Sequence, residues 1–165
     1  MMIDEIKKHN SQYYNEDDRL VWQSRDILEI AGVRVPTYIY NGTIDPTDHS
    51  TAIFNTIMSE RDDFVGKKFL DIGTCAGINN LLLTREGFDV VGLDNNIYSL
   101  NAALYTMELN NIYYKVIQGD IDNIENMNYD FLLVNQMSYI PGFIDALTPI
   151  VRREKLKGRQ AIMKM

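Results

Sequence analysis

The stretch FLDIGTCAGINN, residues 69–80, carries the reading on which the rest of the chain turns. The apolar pair Phe69–Leu70 runs into Asp71, Gly73 and Gly77 stand four residues apart, and Ile78 opens a segment that can continue as a helix. A strand that turns into a helix on glycines brings backbone close to whatever lies at the corner and aims free helix-start N–H groups there. Such a corner is a plain turn or a cradle for a ligand. The neighbouring segments decide which.

Downstream, strand and helix patterns alternate. KKFLDIG (67–73), FDVVGLD (88–94), YYKVIQGD (113–120) and YDFLLVNQ (129–136) are short apolar runs with strand character. GINNLLLTREG (77–87), YSLNAALYTMELNN (98–111) and GFIDALTPIVRRE (142–154) read as helices, the last with a kink or break expected at Pro149. RQAIMKM (159–165) starts a fifth strand. This alternation predicts right-handed βαβ units and an α/β fold with a doubly wound, mostly parallel, Rossmann-like sheet. Upstream, residues 17–31 read as a helix with Gly32 at its C-terminal stop. VRVPTYIYNGTIDPTDHS (33–50) is β-rich, with Asn41-Gly42 as a hairpin signal and Pro36 and Pro46 pointing to an edge or loop. Asp48 or Ser50 can start a helix to about Glu60 with Ile53, Phe54 and Ile57 on one face. His9 falls in a terminus expected to be mobile. Residues 1–60 form an N-terminal helical and hairpin extension acting as a lid, and residues 61–165 the ligand-binding core, together one compact domain.

Composition narrows the classes. The 165 residues suit a single core, and no apolar run is long enough to span a membrane. The start MMIDEIKKHN has no apolar signal segment, and Cys75 is the one cysteine, so a cytoplasmic, reducing location is expected. The net charge of −7 disfavours broad contact with nucleic-acid phosphates. The most basic stretch, VRREKLKGR (151–159), reads as a solvated helix end rather than an RNA contact. His9, His49 and Cys75 form no metal-ligand spacing, so no metal is expected. Cys75 has no histidine near it in sequence and reads as a packing residue.

Ligands of doubly wound sheets lie beyond the carboxyl ends of the strands, where Asp71, Asp94, Asp120 and Asn135 fall. A dinucleotide fingerprint counted from Gly73 requires glycines at Cys75 and Ile78, and both fail; no Walker A motif occurs at this turn. What fits is D-x-G-x-x-x-G on the first core strand with an acid, Asp94, 21 residues beyond Gly73, where a carboxylate can accept from two ribose hydroxyls. Asp71 can face an ammonium group and Asp120 an exocyclic amine. Ammonium, ribose and adenine without phosphate describe S-adenosylmethionine. Plain alternatives stand beside these roles: Asp94 as a helix cap, Asp120 as the cap of a turn through DIDN, and His49 as a loop or capping residue.

Residues 67–135 resemble the class I S-adenosylmethionine-dependent methyltransferases. FLDIGTCAG resembles their motif I, VVGLDNN the second-strand acid, IQGDIDN the adenine-side motif and YDFLLVNQ the fourth strand. The resemblance implies a methyltransferase sheet, apparently truncated after about five strands, and assigns Asp71, Gly73, Thr74 and Gly77 to the methionine end. It assigns Asp94 and Asn95 to the ribose, Asp120 and Ile121 to the adenine, and includes Asn135 at the fourth strand end. VPTYIYNGTIDPTDHS (35–50) and VNQMSYI (134–140) further resemble the subgroup related to the tRNA wobble-uridine carboxymethyltransferase, although Ile140 follows Tyr139 where many members have histidine. The implied activity is methyl transfer to an unidentified acceptor, a small molecule before RNA, with Tyr139, Asn135 and His49 as candidate catalytic groups. An S-adenosylmethionine-binding protein or partner subunit without transfer activity is the rival, because the strand pair that covers one sheet edge in full domains of this resemblance is missing. Either the chain is a trimmed form, or a second copy or a partner chain covers that edge.

Overall fold

The computed structural model describes residues 2–16, 22–40, 47–135 and 140–164. Among them the core is one five-stranded, all-parallel sheet of β3 (Lys68–Ile72), β4 (Asp89–Asp94), β5 (Lys115–Gln118), β6 (Phe131–Asn135) and β7 (Gln160–Lys164), in the order β5-β4-β3-β6-β7. The order reverses between β4 and β6 around β3, which makes the end of β3 the switch point of the sheet. The expected doubly wound α/β architecture is present.

β3 is central and covered on both faces, hence its unbroken apolar run. Successive side chains leave it on opposite sides. Phe69 joins Val90, Val116 and Leu133 under α2 (Thr47–Ser59), α4 (Ile78–Arg85) and α5 (Ile97–Asn110). Leu70 and Ile72 join Leu93, Leu132 and Val134 under α6 (Phe143–Leu156), which contributes Phe143, Leu147 and Ile150. α6 runs through Pro149, so the expected break does not occur. The short α3 (Arg61–Phe64) delivers Phe64 against Phe69 and Phe131, with ring centroids 5.6 and 4.9 Å apart.

Upstream of the core two expectations are corrected. Of the helix expected over residues 17–31, the start at 17–21 lies outside the described residues, and Trp22–Ile30 form instead strand β1, antiparallel to β2 (Val33–Tyr40). Ala31 and Gly32 turn the hairpin with φ of 51° and 77°, the paired left-handed conformation of a tight two-residue turn. Gly32 suits a helix stop and this turn equally, and the Val/Ile/Tyr-rich β2 decides for the hairpin. β2 then docks on α5, where Thr106 Oγ1 accepts from the Tyr38 N–H (3.1 Å) and Asn110 Nδ2 donates to the Pro36 carbonyl (2.8 Å). The Asn41-Gly42 turn and Pro46 lie outside the described residues.

The second correction concerns the N-terminus. Ile3–Asn10 form α1, which is docked. Asn10, 4% exposed, donates from Nδ2 to the Tyr114 carbonyl (2.8 Å) and accepts at Oδ1 from the Val116 N–H (3.1 Å). One side-chain amide thus occupies the free edge of β5 as a strand would. His9 Nε2 lies 2.9 Å from the Val116 carbonyl.

The basic stretch at the end of α6 is not simply solvated. Glu154, 1% exposed, is ion-paired with Arg153 (3.4 Å), Lys157 (3.5 Å) and Arg159, and Arg153 also reaches Glu125 at 2.9 Å. No helix among the described residues is long and apolar enough to cross a membrane.

Candidate ligand cleft at the switch point

A cleft of about 380 Å³ opens beyond the carboxyl ends of β3, β4 and β5, the size range of small-molecule sites. Ile72, Gly73 and Cys75 line it from the end of β3, Leu93–Asn96 from the end of β4, Ser99 from α5, and Gly119–Ile121 from the end of β5. Ile140 and Phe143 close the side next to α6. Two carboxylates, amides and apolar side chains face the space, and among the described residues the lining contains no lysine, arginine or histidine.

Asp94 is the best-defined polar group in it. Its Oδ1 accepts from the Asn96 N–H (2.9 Å) and its Oδ2 from the Cys75 N–H (3.1 Å). Each carboxylate oxygen keeps a lone pair for a ligand. Burial pushes the Asp94 carboxyl above its ordinary range, against the lowering effect of the Asn96, Cys75 and Asn95 N–H groups. The helix cap after β4 is Asn96, whose Oδ1 accepts from the Tyr98 N–H, so Asp94 is free of that task. Asp120 both caps and lines. Its Oδ1 accepts from the Ile121 N–H (2.7 Å) at the start of a 3-10 turn, while the residue faces the cleft.

The glycine turn is pinned to β4. The Gly73 and Thr74 N–H groups both donate to the Leu93 carbonyl, at 2.7 and 3.2 Å. Cys75 holds φ at 47°, a left-handed conformation rare for a residue with a side chain, and thereby aims its N–H at Asp94. Burial, then the charges of Asp94 and Asp71, push the Cys75 thiol up to about 12, so it stays protonated.

Four sequence-derived cofactor residues fall outside the lining: Asn135 at the end of β6, and Asp71, Thr74 and Gly77 at the turn. Alternation along β3 sends Asp71 to the Phe69 side, under α4, away from the cleft. There Asn80 Nδ2 donates to Asp71 Oδ2 (2.9 Å) and to Thr74 Oγ1 (2.6 Å). The Tyr114 hydroxyl donates to the Gly77 carbonyl (3.2 Å). Gly77 admits that ring, since a Cβ there would lie 1.5 Å from Tyr114 Oη. These residues shape the turn from behind.

Burial raises the Asp71 carboxyl to about 7, with the hydrogen bonds of Asn80 and Thr74 opposing and the Asp94 charge adding to the rise. Because the folded value exceeds the ordinary 3.8, Asp71 contributes most to stability when protonated, and that contribution declines as pH rises from about 4 through 7. Asp71→Asn keeps an acceptor for Asn80 and cannot ionise. Relative to the wild type it is expected to gain on the order of 2–3 kcal/mol in urea melts between pH 5 and pH 8. A stability difference that stays constant across that range overturns this account.

Asn135 ends β6, one strand beyond Gly73, and its Nδ2 donates to Ser50 Oγ of α2 (2.8 Å). It does not line the cleft. His49 precedes Ser50 on α2. Tyr139 lies outside the described residues. Tyr38 packs on Tyr105 and under Arg25, part of the hairpin–α5 contact. No group of three or more His, Cys, Asp or Glu among the described residues is placed to hold a metal.

The pattern missed Asn96, Ser99 and Gly119, although each is within a few residues of a chosen acid, and it took Cys75 for packing. Ile140 and Phe143 come from the far side of the sheet and carry no local signal.

Comparison with known proteins follows this geometry. The family model for tellurite resistance protein TehB matches residues 46–151, well over half of the chain. A 23S rRNA (uracil(747)-C(5))-methyltransferase of Pyrococcus horikoshii is 29% identical over 99 residues, 60% of this chain and 24% of that protein. A ubiquinone biosynthesis O-methyltransferase of Rickettsia bellii is 27% identical over 108 residues, 64% of this chain and 45% of that protein. The chain thus spans less than half the length of these relatives. Among solved structures, the T. thermophilus 16S rRNA N2 G1207 methyltransferase, in complex with AdoMet and guanosine, superposes with a TM-score of 0.60 at 21% identity. The match covers 74% of this chain and 34% of that one. With the same sheet and the family model laid over the cleft, the chain belongs to the TehB family, within the class I S-adenosylmethionine-dependent methyltransferase fold.

Proposed function

We propose that the chain binds S-adenosylmethionine in the switch-point cleft and transfers its methyl group to a small-molecule acceptor. The observation that carries this reading is the charge of the lining: Asp94 and Asp120, with no basic side chain among the described residues. Such a lining opposes a pyrophosphate and suits a ligand that is cationic and free of phosphate. When bound, the cofactor supplies a methyl group already activated on a sulfonium. The chain's own task is then to bind and align. Asp94 accepts from the ribose hydroxyls, Asp120 and Ile121 take the adenine side, and Gly73 and Cys75 take the methionine end. Ile72, Leu93, Ile140 and Phe143 keep water out. Asp71, Thr74 and Gly77 hold the turn in shape.

The relatives named above include an RNA methyltransferase and an enzyme of ubiquinone biosynthesis. The net charge of −7 supports a small molecule here. The finer likeness to the wobble-uridine subgroup favours RNA. Against it, the basic side chains Arg153, Lys157 and Arg159 at the end of α6 are already paired with Glu154.

Isothermal titration with S-adenosylmethionine and S-adenosylhomocysteine tests the reading. Saturable binding of both is expected, and absence of heat and of any thermal shift with either removes it. Methyl transfer, assayed separately with labelled cofactor and a metabolite extract, separates an enzyme from a protein that only binds.

A further inference from the structure

Behind the glycine turn, on the face of β3 away from the cleft lining, lies a carboxyl group that no cation balances. Asp71 is 5% exposed, and among the described residues no lysine, arginine or histidine is paired with it. Its neighbours in the sheet are Gly92 and Leu133, neither of them ionisable. From α4 comes Asn80, fully buried, whose Nδ2 donates to both Asp71 Oδ2 (2.9 Å) and Thr74 Oγ1 (2.6 Å). Asn80 Oδ1, on the same amide carbon, is buried without a hydrogen-bond partner. A buried carboxyl with one shared donor and no counter-charge favours its neutral form. The carboxyl is accordingly raised to about 7.

Three titratable groups couple to Asp71 by charge: Asp94 at the end of β4, the Cys75 thiol of the turn, and the Tyr114 hydroxyl next to β5. Cys75 is the informative one. It lines the cleft, and the charges of both Asp94 and Asp71 reach it. A charge in the cleft beside Cys75 therefore acts on Asp71 across the turn, and a positive one favours the ionised carboxyl.

We propose that Asp71 is a proton-linked positioning residue of the cleft, which holds its proton in the ligand-free protein and releases it to solvent when a cationic ligand enters. The proposal rests on the S-adenosylmethionine reading above, in which the sulfonium supplies the positive charge. Once ionised, Asp71 accepts a charge-assisted and therefore stronger hydrogen bond from Asn80. Asn80 also holds Thr74, whose Oγ1 stands against Gly92, where a Cβ would meet it at 2.8 Å. The Thr74 and Gly73 N–H groups both donate to the Leu93 carbonyl. The turn that aims the Cys75 N–H at Asp94 is thus held more firmly as the ligand arrives.

Titration calorimetry at about pH 6.5, in two buffers of different ionisation enthalpy, counts the protons. S-adenosylmethionine is expected to release about half a proton or more from the wild type beyond what it releases from Asp71→Asn. Taking the difference removes the contributions of Asp94 and of the ligand's own amino group. S-adenosylhomocysteine, which lacks the sulfonium charge, is expected to release no more than about half as much as S-adenosylmethionine. From about pH 5.5 to 7.5, the affinity of the wild type for S-adenosylmethionine is expected to rise about tenfold more than that of Asp71→Asn. A residue that only shaped the turn would move neither the proton count nor this pH profile. If both ligands bind the wild type and release equal numbers of protons, the proposal is wrong while the cofactor reading stands, and this comparison needs no variant. Release from Asp71→Asn equal to that from the wild type overturns it in the same way. If neither ligand binds, the cofactor reading fails first, and the proposal with it.

Discussion

Asp94→Ala is expected to weaken S-adenosylmethionine binding by about a hundredfold with little change in thermal stability. The carboxylate sits between two backbone donors, the Asn96 N–H at 2.9 Å and the Cys75 N–H at 3.1 Å, and presents its remaining lone pairs to the cleft. A hydrogen bond to a charged acceptor contributes about 1.5–3 kcal/mol, and losing the pair to the ribose amounts to about 3 kcal/mol. That is about a hundredfold in the dissociation constant. The folded protein without ligand loses less, because burial already makes this carboxylate costly to keep charged. Asp94→Asn retains one acceptor oxygen and is expected to fall between alanine and wild type. Titration calorimetry on the three proteins is the measurement. An alanine variant that binds as tightly as the wild type excludes Asp94 from the ribose.

Gly77→Ala is expected to be the most destabilising single methyl in the core, at about 3 kcal/mol or more. A Cβ at this position would stand 1.5 Å from Tyr114 Oη and 2.8 Å from Cζ, and the ring is buried. Overpacking of that kind costs about 1–3 kcal/mol, and the left-handed φ of 70° adds about 1–2 kcal/mol for any residue with a side chain. Tyr114→Phe in the same chain removes the closest atom and leaves Cζ and the backbone strain, so it is expected to restore part of the loss. Alanine at Gly32, where nothing lies within 4 Å, carries the φ cost alone and is the control. Urea melts of the four proteins decide it. Equal losses at Gly32 and Gly77 show that the ring is not the cause.

These two residues also show how far the amino-acid pattern reaches. The place of Asp94 in the cleft was legible because it depends on a spacing along the chain: an acid at a strand end, a fixed distance past a glycine turn. Gly77 was legible as a required glycine, but its reason was not. Tyr114, 37 residues later, supplies that reason, and no local pattern couples the two. Asp71 lies outside the cleft lining for a different cause. Strand-end position says which rim a residue occupies, whereas the two-residue alternation from Phe69 decides which side of the sheet it faces. The strands and helices after residue 67 emerged because each is long enough for its period to dominate. Residues 22–30 did not, since DILEI satisfies a helical stripe and a strand alternation alike. Only the partner strand and its docking onto Thr106 and Asn110 break the tie.

The side-chain amide of Asn10 has one more consequence. It works as a chain terminator for the sheet on the β5 flank, while among the described residues β7 stands at the opposite flank, paired with β6. A sheet with one stopped end cannot propagate. A second strand approaching the β5 flank finds the Tyr114 carbonyl and the Val116 N–H already taken by Asn10. Open-ended stacking needs both flanks live, and a single asparagine near the N-terminus withholds one of them.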